Sequence, residues 1–280
     1  MTPTERLLEH ARAWRVSVDD TIETASSLIA YGRRDGRAVV LKVVKRECDE
    51  WRCGEILDAF GGTGFVRVYE FAPGAALLER LSPGSALTEL SLSGRDPEAT
   101  EVIAGVIARM SPSGRVQGVA VRELSRSFDT YIATGDERIP APIVADARRV
   151  YLELCNSQTR PRLLHGDLQH YNIVLDADRG WVAIDPKGVY GEIEYEIGAV
   201  IRNPVERPDI FISADVIERR IATFASRLNL DAARVAAWSY AQAILSAVWG
   251  IEDGVDVDAA HPMIQLADVI RPLLPRFGWR

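Results

Sequence analysis

Short alternating or apolar runs occupy the first part of the chain and predict β-strands. Five such runs, separated by Gly, Asp or Pro, cover residues 21–23, 27–31, 37–44, 66–71 and 75–81. Asp35-Gly36 is typical of a hairpin turn between two of these strands. One helix is predicted over residues 48–60, where Ile56 and Phe60 lie one turn apart before Gly61-Gly62 ends the run. This order predicts a five-stranded antiparallel sheet with one helix.

Apolar residues recur at helical spacing after about residue 95, outside one central region. Helices are predicted over residues 97–110, 143–155, 214–228, 232–249 and 259–274. The change of pattern predicts a two-lobed α+β protein, with a mostly β N-terminal lobe over residues 1–81 and a helical C-terminal lobe over residues 82–280.

The central region carries the strongest chemical signal in the chain. Asp167 is followed five residues later by Asn172, and two apolar runs around the turn-forming cluster 176–180 then lead to Asp185. The two runs are expected to pair as a hairpin, which returns Asp185 to the loop that carries Asp167. Kinase-type sites use this order for a catalytic base and two magnesium ligands beside a nucleoside triphosphate. Asp167 is therefore the predicted catalytic residue, and Asn172 and Asp185 are the predicted Mg²⁺ ligands.

A zinc cluster is the alternative interpretation of this region. His165, Asp167 and His170 are close in sequence, and imidazole and carboxylate groups suit zinc. No third histidine lies nearby, and the neutral Asn172 would have no task in such a site. The kinase-type interpretation accounts for more of the chain.

Lys42 follows the apolar run at residues 38–41 of a predicted strand, where a charged side chain is unusual. A lysine at this position can reach the α- and β-phosphates of a nucleotide while an acidic residue of the adjoining helix holds its ammonium. Glu50 is the predicted partner; it is preferred over Glu47 and Glu55 because a small and an apolar residue follow it four and seven positions later, on one helix face. An edge-strand lysine that discourages aggregation is the structural alternative.

Composition describes an ordinary globular protein. The chain has 280 residues, of which 47% are hydrophobic, so it can bury a sizeable core. Its formal net charge of −7 argues against a nucleic-acid partner and favours a cationic small molecule. The alternative is that the acidic residues serve solubility alone. Three cysteines without a C-x-x-C pair, and an N-terminus unlike a secretory signal, predict a cytoplasmic protein. Polar residues inside the longest apolar helix argue against a membrane span, and the protein is expected to be a monomer or dimer.

The chain resembles the aminoglycoside phosphotransferase family, a branch of the protein-kinase-like fold. The resemblance rests on motifs at residues 40–42, 78–81, 165–172 and 184–188 and extends over most of the chain. Residues 185–192, 202–204 and 249–254 are more narrowly similar to the streptomycin 6-kinase and hydroxyurea phosphotransferase branch.

The resemblance implies transfer of phosphate from ATP, with GTP as the alternative donor, to a hydroxyl group of a small molecule in the presence of Mg²⁺. Lys42 with Glu50 would position the phosphates. The hinge between the lobes would lie near residues 78–81, where backbone groups of Glu79 and Leu81 would contact the adenine edge. Streptomycin or a related aminocyclitol is the favoured acceptor. A metabolite kinase without antibiotic activity and a nucleotide-binding pseudokinase are the alternatives.

Two parts of the site depart from the family pattern or are weakly marked. No G-x-G-x-x-G precedes Lys42, so Ser26 and Ser27 in a turn over residues 24–27 are the predicted phosphate contacts. The candidate acceptor contacts are Glu192, Glu252 and Asp253, whose carboxylates would attract a cation, and Trp249, whose ring would form a flat wall of the pocket. The structural alternative is that the acidic residues lie on solvated faces and that the tryptophan belongs to the core.

Overall fold

A five-stranded antiparallel sheet forms the N-terminal lobe in a computed structural model that describes residues 1–114 and 116–279. The strand order is β1-β2-β3-β5-β4. Its members are β1 (Ser17–Glu23), β2 (Ser27–Arg34), β3 (Arg37–Val44), β4 (Val68–Ala72) and β5 (Ala75–Glu79). The predicted α+β fold with this sheet is confirmed.

The N-terminal lobe also contains a helix that the apolar pattern did not predict, α1 (Pro3–Ala13). Thr2 caps it by accepting a hydrogen bond from the Glu5 backbone N–H at 3.2 Å, and the Glu5 carboxylate accepts from the Thr2 N–H at 2.7 Å. The helix packs Leu7 and Ala11 against the sheet. This reciprocal capping pair, with proline at the first helical position, was the available sequence signal.

The predicted helix over residues 48–60 is a 3₁₀ turn, Asp49–Arg52, followed by α2 (Cys53–Phe60). Gly54 lies against the sheet so closely that a Cβ there would be 2.6 Å from the Cβ of Phe71. The glycine therefore lets α2 approach the sheet and brings the preceding turn to the edge of the cleft between the lobes.

The C-terminal lobe is helical and is built around one long helix, α11 (Ala232–Glu252), which is buried along most of its length. It packs against α7, α8 and α12. The helices of this lobe are α3 (Thr88–Leu92), α4 (Asp96–Ala108), α5 (Val121–Leu124), α6 (Arg126–Thr134), α7 (Ala141–Asn156), α8 (Ile193–Ile201), α9 (Pro208–Phe211), α10 (Ala214–Leu228), α11, α12 (Pro262–Ile270) and α13 (Leu274–Phe277). The single helix predicted over residues 259–274 is instead α12, a 3₁₀ turn and α13. Within residues 1–114 and 116–279, no helix has the length and apolarity that a bilayer crossing requires.

Two small sheets carry the loops of the C-terminal lobe. One contains β6 (Pro83–Ala86), β9 (Ile173–Asp176) and β10 (Gly180–Ala183), and the other contains β7 (Val119–Ala120), β8 (Arg162–Leu164) and β11 (Val189–Gly191). The predicted hairpin is β9–β10. The Val66 N–H donates to the Ala183 carbonyl at 2.9 Å, which ties this hairpin to the N-terminal lobe.

A buried ion pair connects three helices of the C-terminal lobe. Arg220 of α10 is fully buried and contacts the Asp96 carboxylate of α4 at 2.6 Å. The same guanidinium donates to the carbonyls of Val200 and Asn203, at the end of α8. The pair therefore fixes the segment from which Arg202 reaches the cleft. Burial raises the pKa of Asp96, but the hydrogen bonds and charge of Arg220 lower it by more, to about 2.

Replacement of Asp96 by alanine is expected to lower the free energy of unfolding by about 3–5 kcal/mol, because the buried Arg220 would lose its carboxylate partner. Arg219 contacts the same carboxylate but is 40% exposed, so Arg219→Ala should cost less than about 1 kcal/mol. Urea denaturation of both variants at pH 7 tests this difference, and equal losses would contradict it.

The Asp96 contribution should also depend on pH in a defined direction. Its pKa is lowered in the folded state from 3.8 to about 2, so the stabilisation is present above the unfolded-state value and is lost as the pH falls through this range. The stability difference between the wild type and Asp96→Ala should therefore shrink between about pH 4 and about pH 2, which denaturation curves at several pH values would measure.

Candidate active site

The loop that carries Asp167 joins β8 to β9 and depends on a glycine. Gly166 has φ +86°, a conformation that L side chains rarely adopt. A Cβ at this position would also lie 2.5 Å from a methyl carbon of Val189. The residue before Asp167 is therefore small for two independent steric reasons.

Glu196 of α8 holds this loop through hydrogen bonds to its backbone. Its carboxylate accepts the backbone N–H of Gly166 at 3.0 Å and that of Leu168 at 3.2 Å. Burial raises the pKa of Glu196 to about 7, while the hydrogen bonds from the loop act in the opposite direction. Both backbone donors that flank Asp167 are thus satisfied, and the loop is held rigidly.

His165 links the Asp167 loop to the segment that carries Asp185. Its Nδ1 accepts the Asp167 N–H at 3.2 Å, so Nε2 carries the proton and donates to the Ile184 carbonyl at 2.7 Å. Burial lowers the pKa of His165 to about 4, and the ring is neutral at pH 7. With both nitrogens occupied, His165 cannot bind a metal. Over the described residues, 1–114 and 116–279, no group of three or more His, Cys, Asp or Glu is arranged for a metal ion, so the zinc alternative is wrong.

Lys42, in the middle of the sheet, meets one carboxylate from each lobe. Its Nζ lies 2.7 Å from Glu50 Oε2 and 2.8 Å from Asp185 Oδ1, and the side chain is only 3% exposed. Burial lowers the pKa of Lys42, but the two carboxylates together raise it above its ordinary value, so the ammonium stays charged. Of the competing partners, Glu55 contacts Arg52 at 2.7 Å instead.

The chain brings Asn172 and Asp185 together at the base of the β9–β10 hairpin. The Ile184 N–H donates to the Asn172 carbonyl at 2.9 Å, and the Asn172 side-chain Nδ2 donates to the Asp167 carbonyl at 2.9 Å. Asp185 has φ +56°, a rare conformation outside glycine that marks a constrained turn. The Asn172 amide oxygen and the Asp185 Oδ2 remain as oxygen atoms that suit Mg²⁺.

Two cations contact the Asp167 carboxylate. Arg202 lies 3.2 Å from Oδ1 and also donates to Gln242 at 3.1 Å, and Lys187 Nζ lies 3.8 Å from Oδ2. Neither cation was predicted to be a site residue from the sequence. Both lie in the segments that carry the narrower family resemblance, residues 185–192 and 202–204, and this resemblance was the sequence signal that could have identified them.

The turn at residues 24–27 brings only one of its two serines toward the cleft. The Ser26 hydroxyl lies 3.2 Å from Glu50 Oε2 and lines the cavity. The Ser27 side chain is buried in the protein, and its N–H donates to the Thr24 hydroxyl at 2.9 Å. Ser27 is therefore not kept as a phosphate contact.

The backbone groups of the predicted hinge residues, Glu79 and Leu81, are only partly free to contact an adenine edge. The Glu79 N–H donates to the Arg67 carbonyl at 3.0 Å, and the Glu79 carboxylate contacts Arg67 and Arg179. The Glu79 N–H is therefore not available to a base edge. Leu81 packs partly buried against the main core.

A cavity of about 1070 Å³ lies between the lobes and is lined by residues of both. Ser26 and Glu50 of the N-terminal lobe line it, as do Trp249, Glu252 and Asp253 of the C-terminal lobe. The three residues predicted near the end of α11 therefore face this cavity.

Glu192 occupies a different place from the other acceptor candidates. It is buried, and its Oε1 accepts the indole N–H of Trp238 at 2.6 Å and a guanidinium N–H of Arg234 at 2.9 Å. A carboxylate already committed to buried donors cannot serve a ligand in the cleft, so Glu192 is removed from the acceptor contacts.

Known proteins match the chain over nearly its whole length. The profile of the family described as aminoglycoside/hydroxyurea antibiotic resistance kinase matches residues 13–254. Streptomycin 3''-kinase of Klebsiella pneumoniae is 31% identical over 250 residues, which is 86% of this chain and 91% of that protein. Streptomycin 6-kinase of Streptomyces glaucescens is 30% identical over 267 residues, which is 89% of this chain and 82% of that protein.

The fold also matches solved structures. A thermostable mutant of aminoglycoside phosphotransferase APH(4)-Ia, in complex with ADP and hygromycin B, aligns with a TM-score of 0.66 at 17% identity over 95% of this chain and 97% of that one. This likeness confirms the predicted kinase-like architecture. The chain belongs to the aminoglycoside/hydroxyurea antibiotic resistance kinase family and is a phosphotransferase that acts on an alcohol group.

Proposed function

We propose that the protein transfers the γ-phosphate of ATP, in the presence of Mg²⁺, to a hydroxyl group of an aminoglycoside or aminocyclitol such as streptomycin. The observation that carries the proposal is a chain of contacts: Lys42 lies 2.8 Å from Asp185, and Asp167 contacts Arg202 and Lys187. Arg202 and Lys187 line the same cavity as the carboxylates of Glu252 and Asp253. The free thiols of Cys48 and Cys53 suit a reducing cytoplasm, where ATP is available.

The nucleotide end of the cleft is assigned from its charges. Lys42 would contact the α- and β-phosphates, with Glu50 and Asp185 holding its ammonium in place. Asn172 and Asp185 would hold Mg²⁺, which neutralises charge on the phosphates. The donor set fits this ion, because it presents one neutral and one anionic oxygen beside a permanent cation.

Asp167 is assigned to the acceptor hydroxyl. The hydroxyl oxygen would attack the γ-phosphorus while the bond to the β–γ bridging oxygen breaks, and the hydroxyl proton would pass to the Asp167 carboxylate as ADP leaves. Arg202 holds this carboxylate at 3.2 Å and fixes its orientation. Asp167 would therefore both orient the hydroxyl and accept its proton.

The acceptor end suits a hydroxylated cation. Glu252 and Asp253 place two carboxylates on the cavity wall, beside the indole of Trp249. The Ser127 hydroxyl accepts the Trp249 indole N–H at 3.1 Å and donates to Glu252 at 3.3 Å, which orients both side chains. Ammonium or guanidinium groups would bind favourably here. The similarity to two streptomycin kinases supports this acceptor class.

Asp167→Asn is expected to lower kcat by roughly 10²–10⁴-fold with nearly unchanged ATP affinity, because the amide cannot accept the hydroxyl proton. Steady-state kinetics with streptomycin as acceptor would measure this. Asp178→Asn makes the same chemical change at an exposed turn and is the matched control. A turnover of Asp167→Asn equal to that of the control would exclude the role.

Asp185→Asn is expected to abolish the part of ATP binding that depends on Mg²⁺, because the site loses its anionic ligand. Calorimetric titrations of ATP with Mg²⁺ and with a chelator would separate this part from the rest. Affinity that still rises with Mg²⁺ as in the wild type would contradict the metal assignment.

Glu252→Gln combined with Asp253→Asn is expected to raise KM for a polycationic acceptor about tenfold, which corresponds to about 1.4 kcal/mol, with a smaller effect at high salt. Glu206→Gln, at an exposed position, is the control. A panel of streptomycin, other aminocyclitols, hydroxyurea and neutral sugars tests the acceptor class. An equal effect on neutral and cationic acceptors would contradict the electrostatic assignment.

A further inference from the structure

Lys187 lies at the centre of the cleft between two carboxylates from different lobes. Its Nζ is 2.9 Å from Asp49 Oδ2, in the 3₁₀ turn before α2, and 3.8 Å from Asp167 Oδ2 on the opposite side. The residue follows Asp185 by two positions, and its backbone N–H donates to the His165 carbonyl at 2.8 Å. The backbone of Lys187 is therefore fixed beside both the metal-binding segment and the Asp167 loop.

The side chain of Lys187 is more exposed than those of the neighbouring cations Lys42 and Arg202. Lys42 is 3% exposed between its two carboxylates, and Arg202 is 12% exposed, with contacts to Gln242 and Asp167. Lys187 is 36% exposed, lines the cavity, and carries three N–H donors on a flexible stem. It can therefore turn toward a group that enters the cleft.

The charge of Lys187 is secure in this position. Burial lowers the pKa of Lys187, but the carboxylates of Asp167 and Asp49 raise it above its ordinary value. The ammonium is thus protonated at pH 7, and it would act as a fixed positive charge and not as an acid or base.

The proposed reaction would carry the transferring phosphoryl group past this ammonium. In the proposed reaction it travels from the metal-binding side, marked by Asp185, to a hydroxyl oriented by Asp167. Negative charge spreads over its oxygens during transfer and requires a cation in the cleft. The neutral Gln169 in the catalytic loop supplies none, and its side-chain oxygen accepts the Tyr171 N–H at 3.0 Å.

We infer that Lys187 is a further catalytic residue, which leaves Asp49 and donates hydrogen bonds to the γ-phosphoryl oxygens when the nucleotide and acceptor are bound. This inference rests on the proposed function. The oxygen–phosphorus bond to the acceptor forms as the bond to ADP breaks, the hydroxyl proton goes to Asp167, and Lys187 keeps all of its protons. Asp49 and the γ-phosphate would then compete for one ammonium.

This competition separates the inferred role from a purely structural tie between the lobes. Lys187→Met and Asp49→Asn both break the same ion pair, but only the first removes the cation. A tie between the lobes would make the two variants equivalent. A phosphoryl contact would make them opposite, since Asp49→Asn releases Lys187 for the nucleotide.

The test measures kcat with streptomycin, and Kd for AMP-PNP and for ADP in Mg²⁺ by calorimetry, for Lys187→Met, Lys187→Arg and Asp49→Asn. Lys187→Met should lower kcat by on the order of 10²-fold. It should raise the Kd for AMP-PNP about tenfold and leave the Kd for ADP unchanged. Lys187→Arg keeps the charge and should recover part of both. Asp49→Asn should keep kcat within about threefold and bind AMP-PNP at least as tightly as the wild type.

Three results would overturn the inference. One is an equal loss of kcat in Lys187→Met and Asp49→Asn at unchanged thermal stability. Another is an unchanged preference for AMP-PNP over ADP in Lys187→Met, and the last is full activity of that variant. If the wild type transfers phosphate to no acceptor, the proposed function fails, while the nucleotide titrations still decide whether Lys187 contacts the γ-phosphate.

Discussion

A single buried ammonium couples the two lobes of this protein. Lys42 extends from the N-terminal sheet and contacts Glu50 in the same lobe and Asp185 in the other. A buried charge that loses its partner costs several kcal/mol, so both carboxylates are held near Lys42 whenever the lobes are together. Under the proposed function, the position of Asp185 would determine where a metal and a phosphate chain lie, and the Asp167 loop is placed relative to it.

The same principle of satisfied buried polar groups shapes the Asp167 loop. Glu196 accepts backbone N–H groups on both sides of Asp167, and the neutral His165 ring joins that loop to the carbonyl before Asp185. These contacts use elements distant in sequence to fix one short segment. The proposed catalytic loop is therefore held in position without a substrate, which would lower the reorganisation needed during transfer.

The cleft contains several cationic side chains although the net charge of the whole chain is −7. Lys45, Arg46, Lys187 and Arg202 line the cavity together with the carboxylates of Asp49, Glu50, Glu252 and Asp253. Under the proposed function, an anionic donor and a cationic acceptor would each find side chains of opposite charge in one cavity. Lys187 and Arg202 contact the Asp167 carboxylate within this cleft, and the acidic overall composition gives no indication of these two cations.

Local patterns in the sequence determined most of the sheet, the long helices and the grouping of Asp167, Asn172 and Asp185. These features depend on short-range physics: alternation of apolar residues, helical spacing, and a hairpin whose register brings Asp185 back to its starting loop. The capping pair at Thr2 and Glu5 was equally local, and α1 could have been predicted from it.

Only the tertiary structure decided the roles of residues whose partners lie far away in sequence. Glu192 is an acceptor candidate by type, but Trp238 and Arg234 of α11 bury it. Arg202 and Lys187 gain a meaning because folding brings them to the Asp167 carboxylate. The sequence determines which side chains carry a charge. Long-range packing determines which partner neutralises each charge, and that partner determines whether the side chain lies in the core or in the cleft.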